Sequence, residues 1–369
     1  MEKRKFGKTG METSLLGFGG FHLLEIEGQT AEELLNQYLD AGGNYIETAA
    51  DYGDGESEIK VGRVMARRRD ECVLATKCVK RTREGCRDSL DRSLRNLQTD
   101  HVDLLIMHAV GTKEELDTIL GPEGAMEAVE EARQAGKVSH VGISMHGQPD
   151  VLIEALKRYP FDAVMTTINY YDRFNFPKIE DELIPLANEK GAAIILMKPL
   201  ADGLLWRSAS QAFRYAMSQP VSVVVTGMNT RDMLAEDLRY AESFTPMSEE
   251  EKEELYTKAE ELGSYVCRQC GDCMPCPEGI DIPLIFTLEG WYDRQMRDGF
   301  VRNPADFALR DRLRFWFGND KMARERYGQL AVKADACTEC GDCMHCPYGI
   351  DIIHKLRIAD YKLSGKKYY

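Results

Sequence analysis

The 369-residue chain is long enough for one large domain and a smaller one, and at 43% hydrophobic and 29% charged residues it reads as globular. Its net charge of −14 argues against a nucleic-acid partner, because holding a polyphosphate calls for an excess of Lys and Arg. No run reaches the ~18 apolar residues of a membrane span, and Lys3-Arg4-Lys5 leads into no apolar signal core, so a cytoplasmic protein without a membrane partner is expected.

From residue 15 to about 240, short apolar runs alternate with amphipathic stretches, the pattern of parallel strands joined by crossover helices. Strands are predicted at 15–18, 45–48, 72–76, 102–107, 138–143, 162–168, 192–197 and 221–225. Helices are predicted at 30–41, 87–97, 123–135, 150–158 and 180–190, with Gly42, Gly136 and Gly191 suited to left-handed caps. Eight such strands match a (β/α)8 TIM barrel. A doubly wound sheet is the alternative, but Gly17-Phe18-Gly19-Gly20 does not open a helix as a G-x-G-x-x-G turn would. The barrel is assigned to residues 1–245. Ser248-Glu249-Glu250-Glu251 then begins an acidic linker helix with a capping box, and residues 246–369 form a second, mainly helical domain.

That second domain repeats itself. Of 11 cysteines, eight fall in two combs: Cys267, Cys270, Cys273 and Cys276, then Cys337, Cys340, Cys343 and Cys346, each ending before proline and continuing to Gly-Ile-Asp-Ile. Structural zinc takes two separated C-x-x-C pairs, and a disulfide scaffold spreads its cysteines widely. Three thiols at two-residue spacing suit one face of an iron–sulfur cubane. In two-cluster ferredoxins the fourth cysteine, ahead of proline, ligates the other cluster. The expected sets for two [4Fe–4S] clusters are therefore Cys267, Cys270, Cys273 with Cys346, and Cys337, Cys340, Cys343 with Cys276. Here two residues, not the common three, precede each last cysteine. The segment resembles a bacterial ferredoxin with a long helical insertion.

Active sites of such barrels sit at the C-terminal strand ends. Tyr52 follows the second predicted strand, Lys77 ends the third and His108 ends the fourth. A phenol near its free pKa of ~10 is a poor acid at neutral pH, and a nearby ammonium lowers that pKa. An imidazole can orient the carbonyl oxygen that receives the proton. Taken singly, Tyr52 suits packing, Lys77 a solvated charge, His108 a satisfied strand end and Asp51 a surface turn.

Glu47-Thr48-Ala49 with Tyr52-Gly53, then Ala75-Thr76-Lys77, the run 102–108, and Gly136-Lys137-Val138 leading to Gly142-Ile143-Ser144 together resemble the aldo/keto reductase family over residues 1–240. The resemblance implies Tyr52 as proton donor, Lys77 as its partner and His108 as the orienting group. Glu47 stands where the family has Asp, keeping the charge with one more methylene. A nicotinamide cofactor, NADP(H) or NAD(H), is implied across the barrel mouth. Ser144 and Asn169 resemble positions near its carboxamide, Lys198 a cofactor-facing residue, and Glu236 in the loop beginning Thr226-Gly227 an adenine contact. Met145, Met165 and Met197 replace more specific family residues, and Asp237 replaces Asn. Arg231 opens a helix and stands in for the usual 2′-phosphate ligands. Tyr170, Tyr171, Arg173 and Trp206 are candidate pocket walls.

The expected function is reduction of a small-molecule carbonyl, or oxidation of an alcohol, with two clusters that relay electrons or stabilise the fold. A ferredoxin-like redox partner is expected. A nicotinamide passes two electrons and a cluster one, so traffic between them would call for a flavin, for which the sequence has no motif. The competing reading is a redox sensor or electron-transfer protein with a vestigial barrel.

Overall fold

A computed structural model describes residues 1–147, 149–294 and 319–365. The helical patterns expected within 295–318 lie outside the described residues. The chain divides into two compact units, Met1–Asn169 with Lys178–Met247, and Tyr170–Pro177 with Ser248–Tyr369.

The first unit opens with an antiparallel hairpin of β1 (Lys3–Lys5) and β2 (Glu12–Ser14), too short and polar to be read from sequence. Eight parallel strands follow: β3 (Leu16–Gly19), β4 (Tyr45–Glu47), β5 (Val73–Cys78), β6 (Val102–Met107), β7 (Val138–Ser144), β8 (Ala163–Thr167), β9 (Ala193–Met197) and β10 (Val223–Gly227). β10 pairs with β3, which closes the barrel and excludes the doubly wound alternative.

Alternation along the strands fills the interior. Tyr45, Val73, Ala75, Leu104, Ile106, Ala163, Met165, Ala193, Ile195, Val223 and Val225 form one buried cluster. Phe6 stacks on Tyr45 at 5.8 Å and seals the N-terminal end. Gly17 makes room for that tyrosine: a Cβ there would lie 2.9 Å from the Tyr45 ring and 2.7 Å from Val223. Truncating such close-packed residues to Ala costs about 2–5 kcal/mol, so the layers above rest on a stiff floor. The same period of two decides what comes next. Two residues beyond Tyr45, Ala75 and Ile106 stand Glu47, Lys77 and His108, the next layer at the C-terminal mouth.

In the second unit, the helix Glu249–Lys258 starts with the expected capping box, Ser248 accepting from the Glu251 amide and Glu251 accepting from the Ser248 amide. The two cysteine combs lead into helices Ile282–Asp293 and Ile352–Ser364, capped at equivalent positions by Asp281 and Asp351. Glu289 is buried between Lys355 and Lys362, while Tyr265 donates to Glu289 and Asp293. The segment Tyr170–Pro177 is stitched to this unit by the buried Arg294–Asp172 pair and by the Trp291 indole donating to the Asn175 carbonyl. Among the described residues no helix is long and apolar enough to cross a membrane.

Candidate active site and cysteine cavities

At the barrel mouth Lys77 is buried, and its Nζ lies 3.0 Å from the Tyr52 hydroxyl and 3.1 Å from the Thr48 carbonyl. The Glu47 carboxylate, also buried, pairs with the same ammonium. The longer side chain therefore still reaches Lys77. Burial pushes the Lys77 ammonium below its ordinary range, with the Glu47 charge opposing that shift. Burial pushes the Tyr52 phenol up, and the Asp51 carboxylate adds to the effect. Tyr52 is thus held protonated. Phe21 packs edge-on against its ring at 5.0 Å and His108 at 5.8 Å.

Asp51 stands in an exposed turn, as expected, and from there its side chain reaches the site. Its Oδ2 lies 3.1 Å from Nδ1 of the buried His108. Burial lowers the His108 pKa, Asp51 raises it, and Lys77 and Arg81 lower it further. Arg81 also holds the backbone behind the imidazole, donating to the His108 carbonyl at 2.8 Å and the Ala109 carbonyl at 3.0 Å.

Ser144 ends β7 buried, accepting from the Ala109 amide at 3.1 Å and donating to the Met107 carbonyl at 3.3 Å. Asn169 donates to the Lys198 carbonyl at 3.1 Å, which clamps a loop in which Lys198, Ala201 and Asp202 all have positive φ. Lys198 Nζ pairs with Asp202 at 2.6 Å. Thr167, which the sequence reading passed over, ends β8 buried, and its hydroxyl finds no hydrogen-bond partner among the described residues. It alternates with Ala163 and Met165, which places it in the mouth layer.

Gly227 ends β10 where a Cβ would fall 2.0 Å from the His22 ring, so only glycine lets the first and last loops of the barrel meet. Arg231 is exposed and paired with Glu33, and Glu236 accepts from the Tyr240 hydroxyl at 2.6 Å. Asp237 is buried, which raises its pKa from 3.8 to about 7 against a Thr226 hydrogen bond. The folded state therefore binds the extra proton between those values, and stability falls as pH rises through about 7. Thermal melts of Asp237→Asn should show its Tm advantage over the native chain growing from pH 5 to pH 8; a constant gap would contradict this. Tyr170, Tyr171 and Arg173 belong to the second unit, where buried Tyr170 donates to Glu261, and Trp206 is exposed.

In the second unit the combs line two cavities. One is lined by Cys267, Cys270, Cys273 and Cys346. The other is lined by Cys337, Cys340, Cys343 and Cys276, with Cys273 between the two. The repeats share their backbone: Gln269 and Glu339 have φ of 60° and 59°, Gly271 and Gly341 of 80° and 87°. The Gln269 amide donates to Cys267 Sγ at 3.4 Å. Burial raises the thiol pKa of Cys267, of Cys273 (to about 11) and of Cys343, so these thiols keep their protons unless a metal displaces them. Among the described residues no three Cys, His, Asp or Glu side chains close on one point as ligands of a single ion would.

A closed parallel barrel with a buried Tyr–Lys–Glu contact at its C-terminal mouth is an oxidoreductase framework. The aldo/keto reductase family model matches residues 15–211, more than half of the chain, which belongs to that family. The oxidoreductase YqkF of Bacillus subtilis is 30% identical over 56% of this chain and 67% of its own length. L-galactose dehydrogenase of Arabidopsis thaliana is 30% identical over 60% of this chain and 75% of its own. The structure of an aldo-keto reductase from Bacillus halodurans, in its holo form, superposes with a TM-score of 0.60 at 28% identity, covering 69% of this chain and 94% of that one. The chain is accordingly an NAD(P)-dependent oxidoreductase of aldo/keto reductase type.

Proposed function

We propose that the barrel reduces a small-molecule carbonyl to an alcohol, or runs the reverse reaction, and that the tail carries two [4Fe–4S] clusters. The observation that carries the first part is the Lys77 ammonium 3.0 Å from the Tyr52 hydroxyl, with Glu47 on its other side, in a buried layer. A vestigial barrel has no reason to keep three buried polar groups in register.

Hydride chemistry comes from the nicotinamide when it is bound. Thr167, Ser144 and Asn169 are the residues to hold its carboxamide end, and the unpartnered Thr167 hydroxyl is the best fitted to a new hydrogen bond. Tyr52 holds the proton and gives it to the substrate oxygen as negative charge develops there. Lys77 steadies the resulting phenolate, and Glu47 holds Lys77 in place.

His108 sets the direction of use. With its Nδ1–H given to Asp51, the neutral ring offers an Nε2 lone pair to an alcohol. The imidazolium instead offers an N–H to a carbonyl oxygen. Reduction should therefore weaken as pH rises through the His108 pKa, which burial places below the ordinary histidine value. Asp51→Asn removes the charge that favours imidazolium and should move that fall to lower pH. An unchanged pH profile of kcat/KM for reduction would rule out the pairing.

Arg231 is the residue to hold a 2′-phosphate. Its pair with Glu33 is an exposed one, screened by water and weak, so exchanging it for phosphate costs little. Arg231→Ala is expected to raise KM for NADPH about tenfold, the equivalent of one charge-assisted contact, and to leave KM for NADH unchanged. Equal effects on both would remove the assignment.

For the tail, support comes from the lining of the cavities. The first takes three cysteines from one comb and the last of the other; the second mirrors it with Cys337, Cys340, Cys343 and Cys276, and Cys273 borders both. The clusters supply one-electron transfer when bound, and a ferredoxin-like protein is the fitting partner. The barrel's part of this reading is tested by anaerobic turnover of aldehydes and ketones with NADPH, and the tail's by iron and acid-labile sulfide analysis of the same protein. Alcohol formation is expected; nucleotide binding without product would overturn it.

A further inference from the structure

The two cysteine cavities are related position by position through the repeat, so any difference in charge between them is a difference in what an electron would feel. Two equivalent wall positions differ in charge. Arg268 lines the cavity of Cys267, Cys270, Cys273 and Cys346, and its counterpart in the other is Thr338. Tyr348 lines the first, and its counterpart in the second is Glu278. Asp272 and Asp342 occupy equivalent places and cancel in the comparison.

Outside the walls, Glu253 lies near enough to Tyr348 to act on it, and two further cations are each bound to a carboxylate. Lys355 is bound to Glu289 behind the first cavity, and Arg357 to Glu339 beside the second. Arg268 is different. It is buried, donates to the carbonyls of Tyr256, Leu262 and Val266, and lies over the Tyr348 ring at 4.9 Å. Its positive charge is directed at no carboxylate in these contacts, and it stands in a site of low dielectric. Glu278 is exposed and accepts from the Thr338 hydroxyl at 3.0 Å. The first cavity thus gains a cation and the second an anion.

We infer that the tail is an unequal pair of electron sites, in which the cavity of Cys267, Cys270, Cys273 and Cys346, walled by Arg268 and Tyr348, holds the electron in preference to the cavity walled by Thr338 and Glu278. This rests on the two-cluster reading above. Reduction adds one negative charge to a cluster: [4Fe–4S]2+ takes one electron and becomes [4Fe–4S]+, while the donor loses it. A nearby cation favours the product and a nearby anion disfavours it, more strongly where water is excluded. An electron entering from a one-electron donor therefore comes to rest at the Arg268 site, and the other cluster is the one through which it passes.

The test uses the full chain purified without oxygen, assayed for iron and acid-labile sulfide, then titrated with dithionite and followed by EPR at set potentials. Two one-electron waves are expected, separated by at least a tenfold difference in site occupancy, about 59 mV for one electron. Arg268→Thr should lower the upper wave and leave the lower one in place. Glu278→Gln should raise the lower wave alone, and as a surface change it keeps the test decisive where Arg268→Thr fails to load. Clusters that titrate in a single wave, or an Arg268→Thr variant that moves the lower wave, overturn the inference while leaving the two-cluster reading intact. Protein without iron and sulfide overturns both.

Discussion

Tyr52→Phe is expected to lower kcat about 10²–10⁴-fold, the usual contribution of a positioned general acid, while nucleotide affinity stays at the native value. The change removes one oxygen and nothing else from a side chain packed between Phe21 and His108. Folding should survive, since the ring contacts remain. What is lost is the hydroxyl 3.0 Å from Lys77, the group that the proposed step uses as proton donor. Steady-state kinetics with fluorescence titration of the nucleotide separates the two effects. Turnover within a factor of a few of native would show that the proton comes from elsewhere, His108 being the next group in reach.

The second large effect belongs to Cys346. Cys346→Ala is expected to cut iron from about eight to about four atoms per chain and to remove the cluster held by Cys267, Cys270 and Cys273 of the earlier comb. The reason is the lining of the first cavity, which takes Cys346 from the opposite comb. Loss should be local, because the capped helix Ile352–Ser364 begins beyond the substituted residue. Iron and sulfide analysis with EPR checks it. If the cluster lost were that of Cys337, Cys340 and Cys343, each comb would hold its own cluster and the crossed pairing would be wrong.

Much of this was legible in the sequence because its signals are local. The run 102–107 is β6 residue for residue, an apolar stretch broken only by Asp103 that fits a strand covered on both faces. The comb of cysteines and the box Ser248–Glu251 announce themselves within a few residues. The helix Glu56–Arg68 was missed: it starts after left-handed Gly55 with no side-chain cap, leaving only the acidic Glu56 and Glu58 of its first turn as a start signal. The helix expected over 180–190 begins as a wide turn, Ile179–Leu183, and becomes regular only at Ile184–Lys190, where Pro185 sits in its first turn.

At the site, Tyr52, Lys77 and His108 were found as strand ends, but their second contacts were not. Asp51 meets His108 only because β4 and β6 both flank β5 in the closed sheet, a fact of register and not of spacing. Thr167 looks like any strand threonine until alternation with Ala163 and Met165 places it in the mouth layer. Asp202 reaches Lys198 through a loop of left-handed residues that no periodicity foretells.

The measurement that bears most directly on the account is isotope transfer from nucleotide to product. NADPH carrying deuterium at the transferable C4 position is mixed anaerobically with the full chain and an aldehyde that it turns over, and the alcohol is analysed by mass spectrometry. The account predicts one deuterium on the carbinol carbon of each product molecule, because hydride passes directly while Tyr52 supplies the proton to oxygen. Product free of deuterium, formed while the nucleotide is consumed, would mean that the electrons travel singly by another route, and would contradict it.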